Sequence, residues 1–328
     1  MIVVTGGAGF IGSNLVAGLE ESGKGPICVV DRLGTGEKWK NLRRRELEEL
    51  VDPSGLDDLL QRRVRDVQCI VHLGAISTTV ETDADLVIET NFRLSQHVWR
   101  WCAQHDVPLI YASSAATYGD GSQGFDDDSS AANLARLVPL SPYAWSKHLF
   151  DRWVSRAIEG PGPKPRQWVG LKFFNVYGPN EYHKGHMRSL VAKAYPSAAA
   201  REDVTLFRSN HPDYQDGGQM RDFVYVGDCV DVIRWLIDHD EVSGLFNVGT
   251  GRAQTWLELV GALFEALDGE PQVDWVDIPD SIGDRYQNFT EASIARLREA
   301  GYDKAFRSVQ EGVAEYVSRY LSADDPYR

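Results

Sequence analysis

The stretch VVTGGAGFIGSNLV, residues 3–16, constrains what this chain can fold into more than any other. A β-branched run enters glycines at 6, 9 and 12, in the spacing G-x-x-G-x-x-G, and an amphipathic pattern (10–22) follows, closed by Gly23. Glycine at such a turn permits unusual dihedrals, lets backbone approach a pyrophosphate, and lets helix pack on strand. The pyrophosphate then meets the free N–H groups and the positive end of the helix dipole. Strand before and helix after are the context that makes the glycines informative. Asp31 closes a second apolar run, ICVVD (27–31), 19 residues after Gly12, where a carboxylate can accept from a ribose hydroxyl.

Further apolar runs follow at CIVHLG (69–74), PLIYASS (108–114) and WVGLKFFNVYG (168–178), separated by helical patterns at roughly 82–104 and 142–159. Continuous apolar strands alternating with helices indicate βαβ units and a parallel sheet covered on both faces. The expected fold is α/β: a Rossmann-type doubly wound parallel sheet with a smaller C-terminal α/β substrate lobe. The expected boundaries are 1–170 for the dinucleotide domain and 171–328 for the lobe, with late strands near 222–250 rejoining the first sheet.

Composition narrows the function classes. A net charge of −14 argues against nucleic acid, whose phosphates reward cationic surfaces, while local cations can still bind a small anion. No apolar run approaches a membrane span. No secretion signal is evident, and four widely separated cysteines read as reduced thiols, so a cytoplasmic location is expected. No metal site is expected.

LSPYAWSKHLF holds Tyr143 and Lys147, spaced i, i+4 on a helix that Ser141 can cap and Pro142 can begin. A nearby ammonium and a positively charged nicotinamide favour phenolate, which brings a tyrosine toward the range of a useful base. Ser114, at the C-terminal end of a strand, can position the same alcohol. Arg32 and Lys38 lie beside Asp31 and suit the 2′-phosphate of NADP, with NAD the alternative.

Together these motifs resemble the extended short-chain dehydrogenase/reductase superfamily over the whole chain. The dehydratases of that superfamily carry an Asp-Glu pair where this sequence has Ala115 and Ala116, so elimination of water is disfavoured. The segments FFNVYGPNEYHKGHM (173–187), RDFVYVGDCVDV (221–232) and DRYQNFTEA (284–292) resemble the ADP-L-glycero-D-manno-heptose 6-epimerase family. That resemblance implies a second base, Lys184 of H-K-G, opposite Tyr143. It implies one tightly bound NADP (or NAD) per subunit, ADP-heptose as substrate, and a homo-oligomer, a pentamer on the family pattern.

The expected cofactor set is Gly6, Gly9, Phe10, Ile11, Gly12, Asp31, Arg32, Lys38, Leu73, Gly74, Ala75, Ile76, Ser77, Thr90, Lys147, Val176 and Lys184. The expected substrate set is Ser114, Asn175, His186, Lys193, the segment Phe207, Arg208, Ser209 and Asn210, then Arg221 and Tyr286. Three positions depart from the family: Pro53 replaces a lysine near the adenosine phosphate, Thr90 an asparagine, and Leu73 an acid. Two rival readings remain, a UDP-hexose 4-epimerase working with one base, and a non-catalytic dinucleotide sensor.

Overall fold

The computed structural model describes residues 1–78, 81–279 and 287–328. Seven strands form one parallel sheet: β1 (Ile2–Thr5), β2 (Ile27–Val30), β3 (Glu49–Val51), β4 (Cys69–His72), β5 (Leu109–Ser114), β6 (Trp168–Phe173) and a last strand, Gly244–Val248. Their order across the sheet is β3-β2-β1-β4-β5-β6, then Gly244–Val248 at the far edge. The direction of winding reverses between β1 and β4, which opens a crevice at the carboxyl ends of the strands. β3 went unread in the sequence because it is a three-residue edge strand without an apolar run.

Both faces of the sheet are covered. Helices Phe10–Glu21 and Val226–Asp238 pack Leu15, Leu19, Ile233 and Leu236 against one face. Helices Leu56–Arg62, Leu94–His105 and Pro142–Glu159 pack Leu59, Trp99, Phe150 and Val154 against the other. The stretch expected as one helix from about 82 begins at Ala84 and passes through a π-helical turn, Ile88–Arg93, before Leu94. A separate apolar cluster joins helices Leu190–Ala199, Trp256–Glu265 and Val309–Tyr316 to the parallel pair Val204–Phe207 and Val273–Val276.

The run at 168–178 is two strands rather than one. β6 pairs with Gly244–Val248 up to Phe173, after which Asn175–Tyr177 leaves to pair with Phe223–Tyr225. The late strand at 223–225 therefore lies in its own two-stranded ladder. The cause is the buried carboxylate of Asp222, which accepts the backbone N–H groups of Thr250, Gly251 and Ala292 at 2.7, 2.9 and 3.0 Å. That bonding turns the chain beyond Val248 away from the ladder. The break aims Asn175 and Val176 into the crevice instead of along the sheet.

Candidate active site

The crevice is two cavities that share a wall. The first, of about 520 Å³, is bordered by the glycine turn, Asp31, Lys38 and residues 73–78. The second, of about 740 Å³, runs from Ser114 toward Lys193, Phe207 and Trp256. Ser114, Tyr143, Phe173, Phe174, Val176, Lys184 and Met187 line both. A hydroxyl, a phenol and an amine from three distant parts of the chain thus meet where the cavities join.

The glycine turn fits a dinucleotide. Gly6 has φ +69°, and a Cβ there would stand 2.6 Å from the Gly74 nitrogen. A Cβ on Gly12 would stand 2.1 Å from the Gly6 carbonyl, so side chains are barred on both sides of the turn. Gly9 caps the helix Phe10–Glu21 without using its side of the first N–H groups for a side-chain bond, which leaves them for an anion. Asp31 accepts the Ala8 N–H at 2.9 Å and pairs with the Lys38 ammonium at 2.6 Å.

Of the expected cofactor residues, Gly6, Gly9, Phe10, Ile11, Gly12, Asp31, Lys38, Leu73, Gly74, Ala75, Ile76, Ser77, Lys147, Val176 and Lys184 line the first cavity. Two do not. Arg32 is largely exposed and directs its Nε toward Asp52, 3.6 Å away, because Asp31 is already paired with Lys38. Thr90 is displaced by its neighbour: the π-turn carries the fully buried Asn91 inward, where it accepts the Ile76 N–H at 2.8 Å and donates to the Ile76 carbonyl at 2.9 Å. Asn91 also donates to Ser146 at 3.0 Å, tying the cavity wall to the helix that carries Tyr143 and Lys147. His183 lines this cavity and was not anticipated.

Ser141 caps the helix Pro142–Glu159, accepting the Ala144 N–H at 3.2 Å, with Pro142 in its first turn. Lys147 is almost fully buried and donates to the Ala112 carbonyl at 2.8 Å, and burial lowers its pKa to about 8. Burial pushes the Tyr143 phenol upward, against a hydrogen bond with Ser114 that favours phenolate. The direction expected from sequence reverses because burial outweighs that hydrogen bond. A cation entering the cleft would favour the phenolate.

Ser114 ends β5, and its hydroxyl accepts the Ala116 N–H at 3.1 Å as the chain enters the turn Ala115–Tyr118. Ala115 and Ala116 face the second cavity. Behind them lies a buried polar network. Lys172 pairs with Asp151 at 3.0 Å and donates to Thr117 Oγ1 at 2.5 Å, while Ser113 donates to Asp151 at 2.7 Å. Thr117 in turn donates to the Ser114 carbonyl at 2.8 Å. The network grips Ser114 through Ser113 before it and Thr117 three residues after it.

Lys184 sits in the turn Tyr182–Met187, its ammonium 5.2 Å from the centre of the Phe10 ring. Burial lowers its pKa, and the carboxylate of Glu181 acts against that shift. Lys184, Arg188 and Lys193 are the charged side chains among the described residues lining the second cavity, and none is acidic. In a chain of net charge −14, that is a local field built for an anion. Leu190, Leu206, Phe207, Trp256 and Leu259 supply an apolar end.

Ser114, Asn175, Lys193 and Phe207 line this cavity as expected, whereas five other expected substrate residues, His186, Arg208, Ser209, Asn210 and Arg221, do not. His186 is exposed, because Gly185 at φ +55° interrupts the turn just before it. Arg208 pairs with Asp216 at 3.2 Å, and the Ser209 N–H donates to the same carboxylate, so the chain after Phe207 turns outward with Asn210. Arg221 lies behind the wall, donating to the Met220 and Gln287 carbonyls, with its guanidinium 5.7 Å from the Trp256 ring centre. The nearby carboxylates in sequence are engaged elsewhere, Asp222 by backbone N–H groups and Asp228 by Arg307. Tyr286 lies outside the described residues. Among the described residues no His, Cys, Asp and Glu side chains cluster as a metal site requires, and no helix is long and apolar enough to cross a membrane.

The NAD dependent epimerase/dehydratase family model matches residues 2–249. An ADP-L-glycero-D-manno-heptose-6-epimerase of Nitratidesulfovibrio vulgaris (strain Hildenborough) is 50% identical, with 100% of each chain covered. One of Fusobacterium nucleatum is 43% identical, again over 100% of each. The structure of the Helicobacter pylori ADP-L-glycero-D-manno-heptose-6-epimerase is similar, with a TM-score of 0.80 at 28% identity, covering 97% of this chain and 95% of that one. A Thermus thermophilus UDP-glucose 4-epimerase, solved with NAD, gives 0.75 at 27%, covering 98% and 99%. By fold, by the family match and by full-length identity, the chain belongs to the NAD dependent epimerase/dehydratase family, in its group of ADP-L-glycero-D-manno-heptose-6-epimerases.

Proposed function

We propose that this chain inverts C6 of ADP-D-glycero-D-manno-heptose, giving the L-glycero epimer by transient oxidation and re-reduction of that carbon. The observation that carries the reading is the shared wall: Ser114, Tyr143 and Lys184 border both the dinucleotide cleft and the anion-seeking cavity. When bound, the dinucleotide supplies the hydride acceptor and donor. Ser114 holds the C6 hydroxyl oxygen, and Tyr143 takes its proton in one configuration. C6 lies outside the sugar ring, so rotation about the C5–C6 bond turns the other carbonyl face while the nucleotide stays docked. Lys184 then gives the proton to the oxygen on the opposite side. The sequence is redox-neutral, since hydride and proton lost by one epimer are matched by those gained by the other.

Arg188 and Lys193 suit the substrate diphosphate, and the apolar end near Phe207 and Trp256 suits its nucleobase. Ala115 and Ala116 carry no proton, which supports epimerisation over dehydration. Lys38, reaching back from the short helix Glu37–Asn41 to Asp31 at the end of β2, favours NADP, while Asp31 keeps NAD the second candidate. The product would feed the heptose of lipopolysaccharide inner core in the cytoplasm, from a homo-oligomer, a pentamer on the family pattern. A 4-epimerase reading is disfavoured by full-length relatives at 50% and 43% identity that carry the heptose-6-epimerase name. The test is Lys184→Ala assayed beside Tyr143→Phe with ADP-heptose. Each should lower turnover by about 10²–10⁴-fold, and a Lys184→Ala enzyme at full speed would return the one-base reading.

A further inference from the structure

Glu181 has no exposed surface, borders neither cavity, and stands at the threshold of the turn that carries Lys184. Its Oε1 accepts from the Gly178 N–H at 3.3 Å, the Ser189 hydroxyl at 2.7 Å and the Tyr316 hydroxyl at 3.2 Å. Its Oε2 accepts from the Ser189 N–H at 2.5 Å. The donors come from before the turn, from after it, and from the helix Val309–Tyr316 packed beneath. One carboxylate therefore ties both ends of the 178–189 segment together and to the body of the protein.

The backbone continues the same design. The Lys184 N–H donates to the Glu181 carbonyl at 3.0 Å, and Gly185 at φ +55° lets the chain reverse immediately after the lysine. Ser189, held by Glu181, also caps the helix Leu190–Ala199 that presents Lys193. Four donors suit the ionised carboxylate, although burial pushes its pKa up. Glu181 carries negative charge beside a group of cations, Lys184 and Arg188 on its own segment and Lys193 on the next helix.

We propose that Glu181 is the positioning residue for Lys184, closing the 178–189 loop so that the amine stays at the wall shared by the two cavities. It touches neither substrate nor cofactor and acts through the lysine. The inference rests on the two-base reading, in which Tyr143 and Lys184 serve opposite C6 configurations. A loss of Glu181 must therefore damage one half-reaction and spare the other, which a general loss of structure would not do.

The experiment mixes the holoprotein rapidly with each C6 epimer of the ADP-heptose in turn and follows the absorbance of reduced nicotinamide. Glu181→Gln keeps the side-chain volume. It should slow cofactor reduction by one epimer about 10–100-fold and leave the other within about twofold. Tyr143→Phe should slow the opposite epimer. Equal slowing of both epimers by Glu181→Gln, or slowing of neither, overturns the assignment. If the wild-type protein reduces its cofactor with neither epimer, the epimerase reading itself has failed. Should Glu181→Gln not fold, Tyr316→Phe removes one donor to the same carboxylate. It should give a smaller slowing confined to the same epimer, and an equal effect on both, or none, overturns the proposal.

Discussion

Replacing Lys172 by methionine should destabilise the protein severely, for a reason visible in the network behind Ser114. Lys172 and Asp151 are both fully buried and 3.0 Å apart, and the ammonium also stands 4.7 Å from the centre of the Tyr118 ring. Methionine fills the stem's volume but leaves Asp151 with only neutral donors, Ser113 at 2.7 Å and Tyr111 at 3.4 Å. Breaking a buried pair from one side costs about 3–5 kcal/mol, because a charge is left in a low-dielectric interior. At about 2 °C per kcal/mol for a chain of this size, the melting temperature should fall by about 6–10 °C. Removing the orphaned charge as well, in Lys172→Met with Asp151→Leu, should recover at least about 2 kcal/mol relative to Lys172→Met alone. Thermal unfolding of the four proteins of this cycle, scanned at one rate, reads the result. A single-mutant loss below about 1 kcal/mol, or two losses that simply add, would refute the account of a paired, desolvated charge.

Three further outcomes are expected. Lys147→Met should lose activity yet be at least as stable as wild type at neutral pH. The ammonium's pKa falls from 10.5 to about 8 on folding, a cost of about 3 kcal/mol, against about 1–3 for the orphaned Ala112 carbonyl; a marked drop in melting temperature would contradict this. Because the folded pKa is the lower one, this cost is absent above 10.5, grows as the pH falls, and is complete below about 8. Acid should destabilise the fold between pH 6.5 and 4, since burial depresses His148 and His183 to about 4 and His72 to about 3. Each is held neutral, so its stabilisation is complete above 6.5 and lost as the pH falls through those values, and a pH-independent denaturation midpoint across this window would count against it. Gly12→Ala should yield protein purified without nucleotide, because its Cβ would fall 2.1 Å from the Gly6 carbonyl; full nucleotide occupancy in that variant would show that the turn can yield.

The sheet was legible because its strands are continuous apolar runs and its helices announce their ends. Ser141 and Pro142 mark one start, and Gly23 marks one finish at φ +68°. The glycine turn and the Tyr143 helix were readable for the same reason, since their geometry is local. What sequence could not give was direction. Whether Arg32 reaches the cleft depends on Asp52 and on Lys38 having taken Asp31. Whether Thr90 or Asn91 faces inward depends on a π-turn that shifts the helical register. Arg208 and Arg221 were expected in the substrate set from the family resemblance, and both are turned away by partners that only folding brings to them. His183 and Glu181 escaped notice because buried polar side chains declare their role only through the partners that folding brings to them. A carboxylate two residues before a marked H-K-G was the available signal for the last.

In the proposed reaction C6 is inverted by its own hydride, removed and returned within a single docked complex. The most direct measurement is NMR of ADP-D-glycero-D-manno-heptose incubated in D₂O with the purified protein and no added coenzyme. The account predicts a mixture of the two C6 epimers in which C6 keeps protium, since the returning hydride never exchanges with solvent. Deuterium at C6 of the product, or a starting epimer that persists unchanged, would contradict it.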